Sequence, residues 1–451
     1  MVRWRLKSML ADELFCPSAP GPRRLTPWRR LQLAVTRSIE SWPPAVFEEP
    51  FYRPPLPGAP LFVMDPVAIH EVLVHQAETF VHGALWRRIT RPIWGRGLAV
   101  SEGAEWARQR RLAAPAFRPA EMKQFGPVAS RAAERLLKRW RLQGPEVVQD
   151  VYEGALLWAF DAFVDSFFSP GKAEGLERNE LLAHLRGLLK QAGTMRLSYF
   201  LAPDAHHDGR PSPAAANLTA FRQGVRRLIC ASLENGGSNL TRSLTTDPDL
   251  LEDNVSGYLA AGHDTSAVSL AWAVFLASSD LSIAAALRAE AKSVIGEGPL
   301  QPEHVEQLVS TRQVICEALR LYPPAYMMTR VCTGDARLGP HVLKSGDRVV
   351  IPTYALHRHR RWWTEPDAFK PSRFAPSASP PDRHLYMPFG AGPRICIGAA
   401  FAITELTAAL ATLFRSARFE LAGEPPWPIT DLSLRPLGGL PMKITIDGEV
   451  P

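Results

Sequence analysis

A glycine-rich run near the C-terminal end, Pro388-Phe389-Gly390-Ala391-Gly392-Pro393-Arg394-Ile395-Cys396-Ile397-Gly398, constrains this chain more than any other stretch. Glycine reaches backbone conformations that other residues avoid, so Gly390, Gly392 and Gly398 let the chain turn tightly and lie close against something flat. Helical apolar spacing begins at about Ile397 and runs to Arg415, which puts Cys396 just ahead of a helix start. Unpaired N–H groups and the helix dipole there favour a thiolate over a thiol, and neighbouring N–H groups can donate to the sulfur. Arg394 adds a nearby cation. A thiolate held this way is a nucleophile or a metal ligand. A nucleophile wants a paired base, and no histidine stands close to Cys396 in sequence. A zinc or iron–sulfur site needs several protein ligands, whereas haem needs only one such thiolate, because the porphyrin supplies four donors. A buried structural cysteine beside a glycine turn is the plain alternative.

Composition narrows the setting. The chain has 451 residues, 46% hydrophobic and 22% charged, which excludes a disordered chain, a collagen-like repeat and a disulfide-dense mini-protein. The five cysteines (Cys16, Cys230, Cys316, Cys332, Cys396) are odd in number and scattered, with no CxxC pair, so a reducing, cytoplasmic setting is expected. The N-terminus lacks the apolar core and cleavage site of a signal peptide, and no stretch reaches the roughly 18–20 apolar residues of a transmembrane segment. A net charge of +7 is mild for this length; it suits a local basic patch and not a nucleic-acid-coating surface. Length alone suggests about three domains. Nothing along the chain marks a cut, however, so residues 1–30 are expected to form a poorly structured arm and 31–451 a single domain.

Periodicity gives a mainly α chain with small β pieces. Leu61–Met64 reads as a short strand, followed by a helix that Asp65 caps and Pro66 opens, running to Val74. Residues 102–280 are mostly helical, broken at 170–172, 203–213 and 236–239. One helix spans about Leu251 to Ala277 and another about Thr311 to Leu321, stopped by Tyr322-Pro323-Pro324. His341–Leu343 and Arg348–Ile351, joined by Lys344–Asp347, predict a hairpin. A Pro-, Arg- and aromatic-rich coil then leads to the cysteine loop, and Pro441–Ile446 predicts a late strand.

Phe389-x-x-Gly392-x-Arg394-x-Cys396-x-Gly398 resembles the haem-binding loop of the cytochrome P450 family of haem-thiolate monooxygenases, soluble bacterial type. Three further elements follow the family's order. Glu317-x-x-Arg320 and Pro371-Ser372-Arg373-Phe374 resemble its ExxR and PxRF motifs; the resemblance implies a structural cluster of Glu317, Arg320 and Arg373, and planar guanidinium groups suit such contacts. Ala261-Gly262-His263-Asp264-Thr265 matches [AG]-G-x-[DE]-T within the mid-chain helix. Asp264 and Thr265 are thereby implied as the catalytic pair that delivers protons to dioxygen, with Thr265 able to bond back to the previous turn and a local bulge expected. His263 is read as pointing into a wet groove. Trp106-x-x-x-Arg110 matches WxxxR, and the implied partner of both is a haem propionate, as it is for Arg330 and Arg394.

The resemblance implies a mainly α cytochrome P450 fold, a triangular helical haem domain with small β-sheets. It implies haem b held by Cys396, with Phe389 and Gly398 among the cofactor-binding residues. Dioxygen is then the co-substrate, and electrons come ultimately from NAD(P)H through a ferredoxin or similar acidic donor with its reductase. Arg108, Arg111, Arg118 and Lys123 are the expected docking patch for that donor. The substrate expected is a lipophilic small molecule (terpenoid, fatty acid or steroid-like) to be hydroxylated or epoxidised, in a pocket that includes Trp94, Ala261, Tyr326, Met327 and Met328. The polar stretch 235–244 departs from the family and suggests a trimmed distal helix. A peroxide-driven peroxygenase is the alternative, against which the intact Asp264-Thr265 pair weighs. A haem-binding sensor without catalysis is the remote one.

Overall fold

The computed structural model describes residues 33, 38–144, 147–168, 176–193, 213–234, 236, 240, 242 and 248–448. The expected arm at 1–30, the breaks at 170–172 and 203–212 and most of the 235–244 stretch lie outside the described residues. The longer helices are α1 (Ala84–Trp94), α2 (Gly103–Ala113), α3 (Gly126–Gln143), α4 (Val151–Phe167), α5 (Leu176–Gly193), α6 (Pro213–Glu234), α7 (Pro248–Ser278), α8 (Leu281–Ile295), α9 (Val309–Leu321) and α10 (Ala399–Ser416). The mainly α class with small sheets is therefore as the sequence predicts. No single helix among the described residues is long and apolar enough to cross a membrane.

Local chemistry explains the boundaries. Asp150 caps α4 by accepting from the N–H groups of Tyr152 (2.9 Å) and Glu153 (3.2 Å), and Asp280 does the same for α8. Asp65 caps the short helix Pro66–His70, which passes into a π-helical turn at Glu71–His75. α9 ends at Leu321, immediately ahead of Tyr322 and its prolines. α7 packs against α4, α9 and α10 and is buried on nearly every face, so it runs through the interior instead of over it. Its exceptions are Ala261 and Thr265, one turn apart and exposed.

Five strands form the main sheet, in the order β1 (Phe51–Tyr52), β2 (Leu61–Val63), β8 (Arg348–Ile351), β5 (Met328–Cys332), β3 (Phe80–Val81). The hairpin expected between His341–Leu343 and Arg348–Ile351 does not form. β7 (His341–Leu343) pairs with β6 (Ala336–Leu338) across Gly339-Pro340. β8 instead lies between β5, antiparallel, and β2, parallel. The reason is burial: Val349, Val350 and Ile351 are at most 7% exposed, so this strand needs a neighbour on each edge, whereas β7 leaves Val342 in solvent. Turn residues at 344–347 signalled a reversal but not the partner. Pro441–Ile446 forms a strand as predicted, pairing with Ala417–Leu421 and Gln149–Asp150.

Candidate active site

The cysteine loop is built by backbone contacts. The Cys396 N–H donates to the Phe389 carbonyl (2.9 Å) and the Ile395 N–H to Gly392 (3.1 Å). Gly390 and Gly392 have φ of 76° and 72°, in the left-handed region. A Cβ on Gly392 would stand 1.9 Å from the Leu73 carbonyl oxygen, so only glycine fits there. Gly398 differs from the expectation for it: its φ is −88°, and its contribution is a backbone that lies close to the Cys396 sulfur and favours the thiolate. Burial pushes the Cys396 thiol up, and the Gly398 N–H and the Arg110 charge oppose that push. A bound metal ion would add the charge needed to hold the thiolate.

Cys396 opens into a cavity of about 240 Å³. Arg110 and Arg330 line it, and among the described residues neither guanidinium has a carboxylate partner. Arg330 is 9% exposed, and burial together with the Arg394 charge pushes it down to about 10. Burial likewise lowers Arg110. Two desolvated cations without anions are costly unless an anionic ligand arrives between them. Arg394 is different: it pairs with Glu102, donates to the Ser101 carbonyl (2.8 Å) and stacks 4.3 Å over the Trp106 ring. Trp106 in turn lines the cavity one helical turn before Arg110 on α2.

Behind the loop lies a buried ionic cluster. Arg320 donates to both Glu317 oxygens (2.7 and 2.8 Å) and to the carbonyls of His357 (2.7 Å), Pro366 (2.7 Å) and Ala368 (2.9 Å). Arg373 reaches Glu317 at 3.3 Å. Glu317 and Arg320 are both 0% exposed. His357 hands the brace on to the loop, because its Nε2 accepts from the Met387 N–H (2.9 Å).

Across the cavity, Thr265 Oγ1 donates to the Ala261 carbonyl (2.6 Å), as its spacing predicts, but α7 stays α-helical throughout with no bulge. Asp264 sits on the adjacent face, where Tyr152 donates to its Oδ1 at 3.4 Å, and burial raises its carboxyl. His263 corrects the wet-groove expectation. It is 0% exposed and packs edge-on to Phe160. The Leu156 carbonyl is near but outside hydrogen-bond geometry, so both ring nitrogens are unpartnered, and burial pushes the imidazole down to about 3.

A family model for cytochrome P450 matches residues 49–252 and 222–444. The chain belongs to the cytochrome P450 family. It is 31% identical over 397 residues to a cyclooctatin synthase of Streptomyces melanosporofaciens, covering 83% of this chain and 84% of the relative. It is 28% identical to a cytokinin hydroxylase of Arabidopsis thaliana (80% and 74% covered) and 27% identical to human cytochrome P450 4A11 (83% and 77%). Like them it is a monooxygenase, using haem, dioxygen and electrons delivered from NAD(P)H by redox partners.

The residues of this cytochrome P450 fit a haem: one thiol at the cavity wall, and two unpaired guanidinium groups for the carboxylates of a flat ligand. Trp94, Trp106, Ala261, Arg110, Arg330, Arg394 and Cys396 all line the cavity. Tyr326, Met327 and Met328 are not among its lining. The Tyr326 hydroxyl donates to the Asp431 carbonyl (3.3 Å), Met327 packs on the core, and Met328 lies in β5 against Gly390. Only Met328 lies in a strand, and all three side chains are half-buried against the core beside the cavity, not on its wall. Phe389 contributes its carbonyl to the loop and its ring to the core. Sequence reasoning missed Glu102, which joins Arg394 to His82 (2.9 Å), and Tyr152 and Tyr258. None of these stands in a motif, and their partners are far away in the chain.

Proposed function

We propose that this cytochrome P450 inserts one atom of dioxygen into a lipophilic small molecule held in the Cys396 cavity, with haem b as its cofactor. The observation that carries the reading is the Cys396 thiol facing a cavity whose half-buried Arg110 and buried Arg330 lack carboxylate partners among the described residues. Haem, when bound, supplies the redox chemistry that splits dioxygen, with thiolate donation favouring O–O cleavage. Cys396 is its protein ligand, and the Gly398 N–H tempers the sulfur. Arg110, Arg330 and the Trp106 indole N–H hold its carboxylates, while Arg394, engaged by Glu102, braces the loop beside them. Thr265 is exposed on α7 one turn after the cavity-lining Ala261, to whose carbonyl its hydroxyl donates, and Asp264 one residue earlier takes a proton and passes it on. Glu317, Arg320 and Arg373 act structurally.

Electrons come from a separate acidic donor, a ferredoxin with its reductase. Arg111, Arg118 and Lys123 are exposed and have no carboxylate partner among the described residues, which leaves them available for docking; Arg108 is already paired with Glu105 (2.9 Å). The cavity's Trp86, Trp94, Leu98 and Ala99 give an apolar wall, and Gly257 lets Trp94 lie against α7. A terpenoid is the favoured substrate class because a relative is named as a cyclooctatin synthase. The working arrangement is a single haem domain in the cytoplasm.

The test is reduction under carbon monoxide, followed by a lipophile panel read by the Soret shift. A thiolate-type spectrum lost in Cys396→Ala is expected; its survival in that variant overturns the ligand assignment. Peroxide-driven turnover exceeding reductase-driven turnover overturns the monooxygenase route.

A further inference from the structure

The groups around the Asp264 carboxyl are unusual for a desolvated acid, because the hydrogen bond it receives comes from a neutral hydroxyl. Tyr152, in the first turn of α4, is 7% exposed and donates to Asp264 Oδ1 at 3.4 Å. Ser433, in the turn between β10 (Pro428–Thr430) and β11 (Leu434–Pro436), is 3% exposed, and its hydroxyl lies near enough to favour the ionised carboxyl without completing a hydrogen bond. The charged groups nearby are already matched. Arg435 is paired with Asp431 (2.9 and 3.2 Å), and Glu153, next to Tyr152, is paired with Arg186 (2.5 Å). No cation among the described residues forms an ion pair with Asp264.

The tyrosine is firmly placed. Asp150 accepts from the N–H groups of Tyr152, Glu153 and Leu440, and the Val151 N–H donates to the Leu440 carbonyl (2.9 Å). The start of α4 is thereby tied to β12 (Pro441–Ile446), which fixes the direction in which the Tyr152 ring leaves the helix.

We propose that Tyr152 is a positioning residue for the proton relay of Asp264 and Thr265, its hydroxyl holding the Asp264 carboxyl in place without locking it in an ion pair. The proposal rests on the relay reading given above. An ion-paired aspartate stays ionised and gives up a proton reluctantly, since the cation favours the charged form. Hydroxyl donors orient the group at lower electrostatic cost to its protonated form, so Asp264 can take one proton from solvent and release one toward Thr265, returning to its starting state. Burial raises the Asp264 carboxyl while Ser433, Tyr152 and Arg435 pull it back and Asp431 opposes them. Burial and the Asp264 charge push the Tyr152 phenol far above its ordinary value, so it keeps its own proton and acts only as a donor.

The experiment follows the Asp264 carboxyl stretch by difference infrared spectroscopy across pH, with Asp264→Asn as the subtraction control, alongside haem content, ligand-binding Soret shifts and the fraction of electrons that reach product. In Tyr152→Phe the titration midpoint of the band is expected to rise by about one pH unit, from the loss of one donor to the carboxylate. Coupling to product should fall about ten-fold, with haem content and ligand affinity unchanged. Ser433→Ala should shift the midpoint in the same direction. An unmoved midpoint in Tyr152→Phe overturns the assignment of Tyr152 while leaving the relay intact. Full coupling in Asp264→Asn overturns the relay reading, and with it the role given to Tyr152, whatever the band does.

Discussion

Replacing Arg320 with lysine tests whether the buried cluster is held by geometry or by charge alone. Five hydrogen bonds leave this guanidinium, two to Glu317 and one each to the carbonyls of His357, Pro366 and Ala368. The side chain is 0% exposed, so no water replaces what is lost. A lysine ammonium has three donors and cannot reproduce the planar fork. It can keep Glu317 charged-paired, but at least two buried acceptors lose their partner, each costing about 1–3 kcal/mol. Arg320→Lys should therefore lose about 2–6 kcal/mol, and Arg320→Ala at least as much, because Glu317 would keep only Arg373 at 3.3 Å and the Lys370 N–H at 2.9 Å. Urea unfolding of the apoprotein measures the loss directly. A haem titration shows whether the damage travels through His357 to the Met387 N–H and the cysteine loop. Wild-type stability in Arg320→Lys, to within about 0.5 kcal/mol, would refute the claim that the fork geometry is what the coil requires.

Gly392→Ala should abolish the loop conformation, since its Cβ would meet the Leu73 carbonyl oxygen at 1.9 Å, whereas Gly346→Ala, at φ 90° with open space around it, should cost only about 1 kcal/mol; paired thermal melts with haem incorporation compare them. Arg330→Gln should stabilise the apoprotein, because an unpaired buried cation is removed, yet weaken haem retention measured by transfer to apomyoglobin; a change of the same sign in both would refute its proposed partner. His263 and His357 are both pushed down to about 3, so the folded chain keeps them neutral while the unfolded chain binds protons below about 6.5. Stability present above that pH is lost as pH falls toward 3, at roughly 1.4 kcal/mol per pH unit for each histidine. Urea midpoints measured from pH 7 to 4.5 should show it, and His263→Leu, which also removes two unpartnered nitrogens, should flatten the slope and leave the neutral-pH protein no less stable.

Helices were legible because caps, prolines and 3.6-residue spacing act over one or two turns; α9 and α10 fall within about two residues of where the sequence puts them. Strand partners were not. Pairing is decided by which edges remain free once the core has formed, and β8 found β2 from nearly 290 positions away instead of its sequence neighbour. The same limit displaced Tyr326, Met327 and Met328 from the expected pocket wall and turned His263 from water into the core.

By itself, then, the sequence determined the chemistry that short motifs can carry: a cysteine ahead of a helix, glycines where the backbone must turn left-handed, an acid and an alcohol in consecutive positions, and a Glu–Arg pair on one helix face. Those are properties of residue type and local spacing. Only the tertiary structure decided that Arg330 is buried and Arg110 half-buried without an anion among the described residues, that Arg394 already has Glu102, and that Asp264 is met by the hydroxyl of Tyr152. Desolvation and pairing depend on what long-range packing brings within a few ångströms, and no local pattern records it.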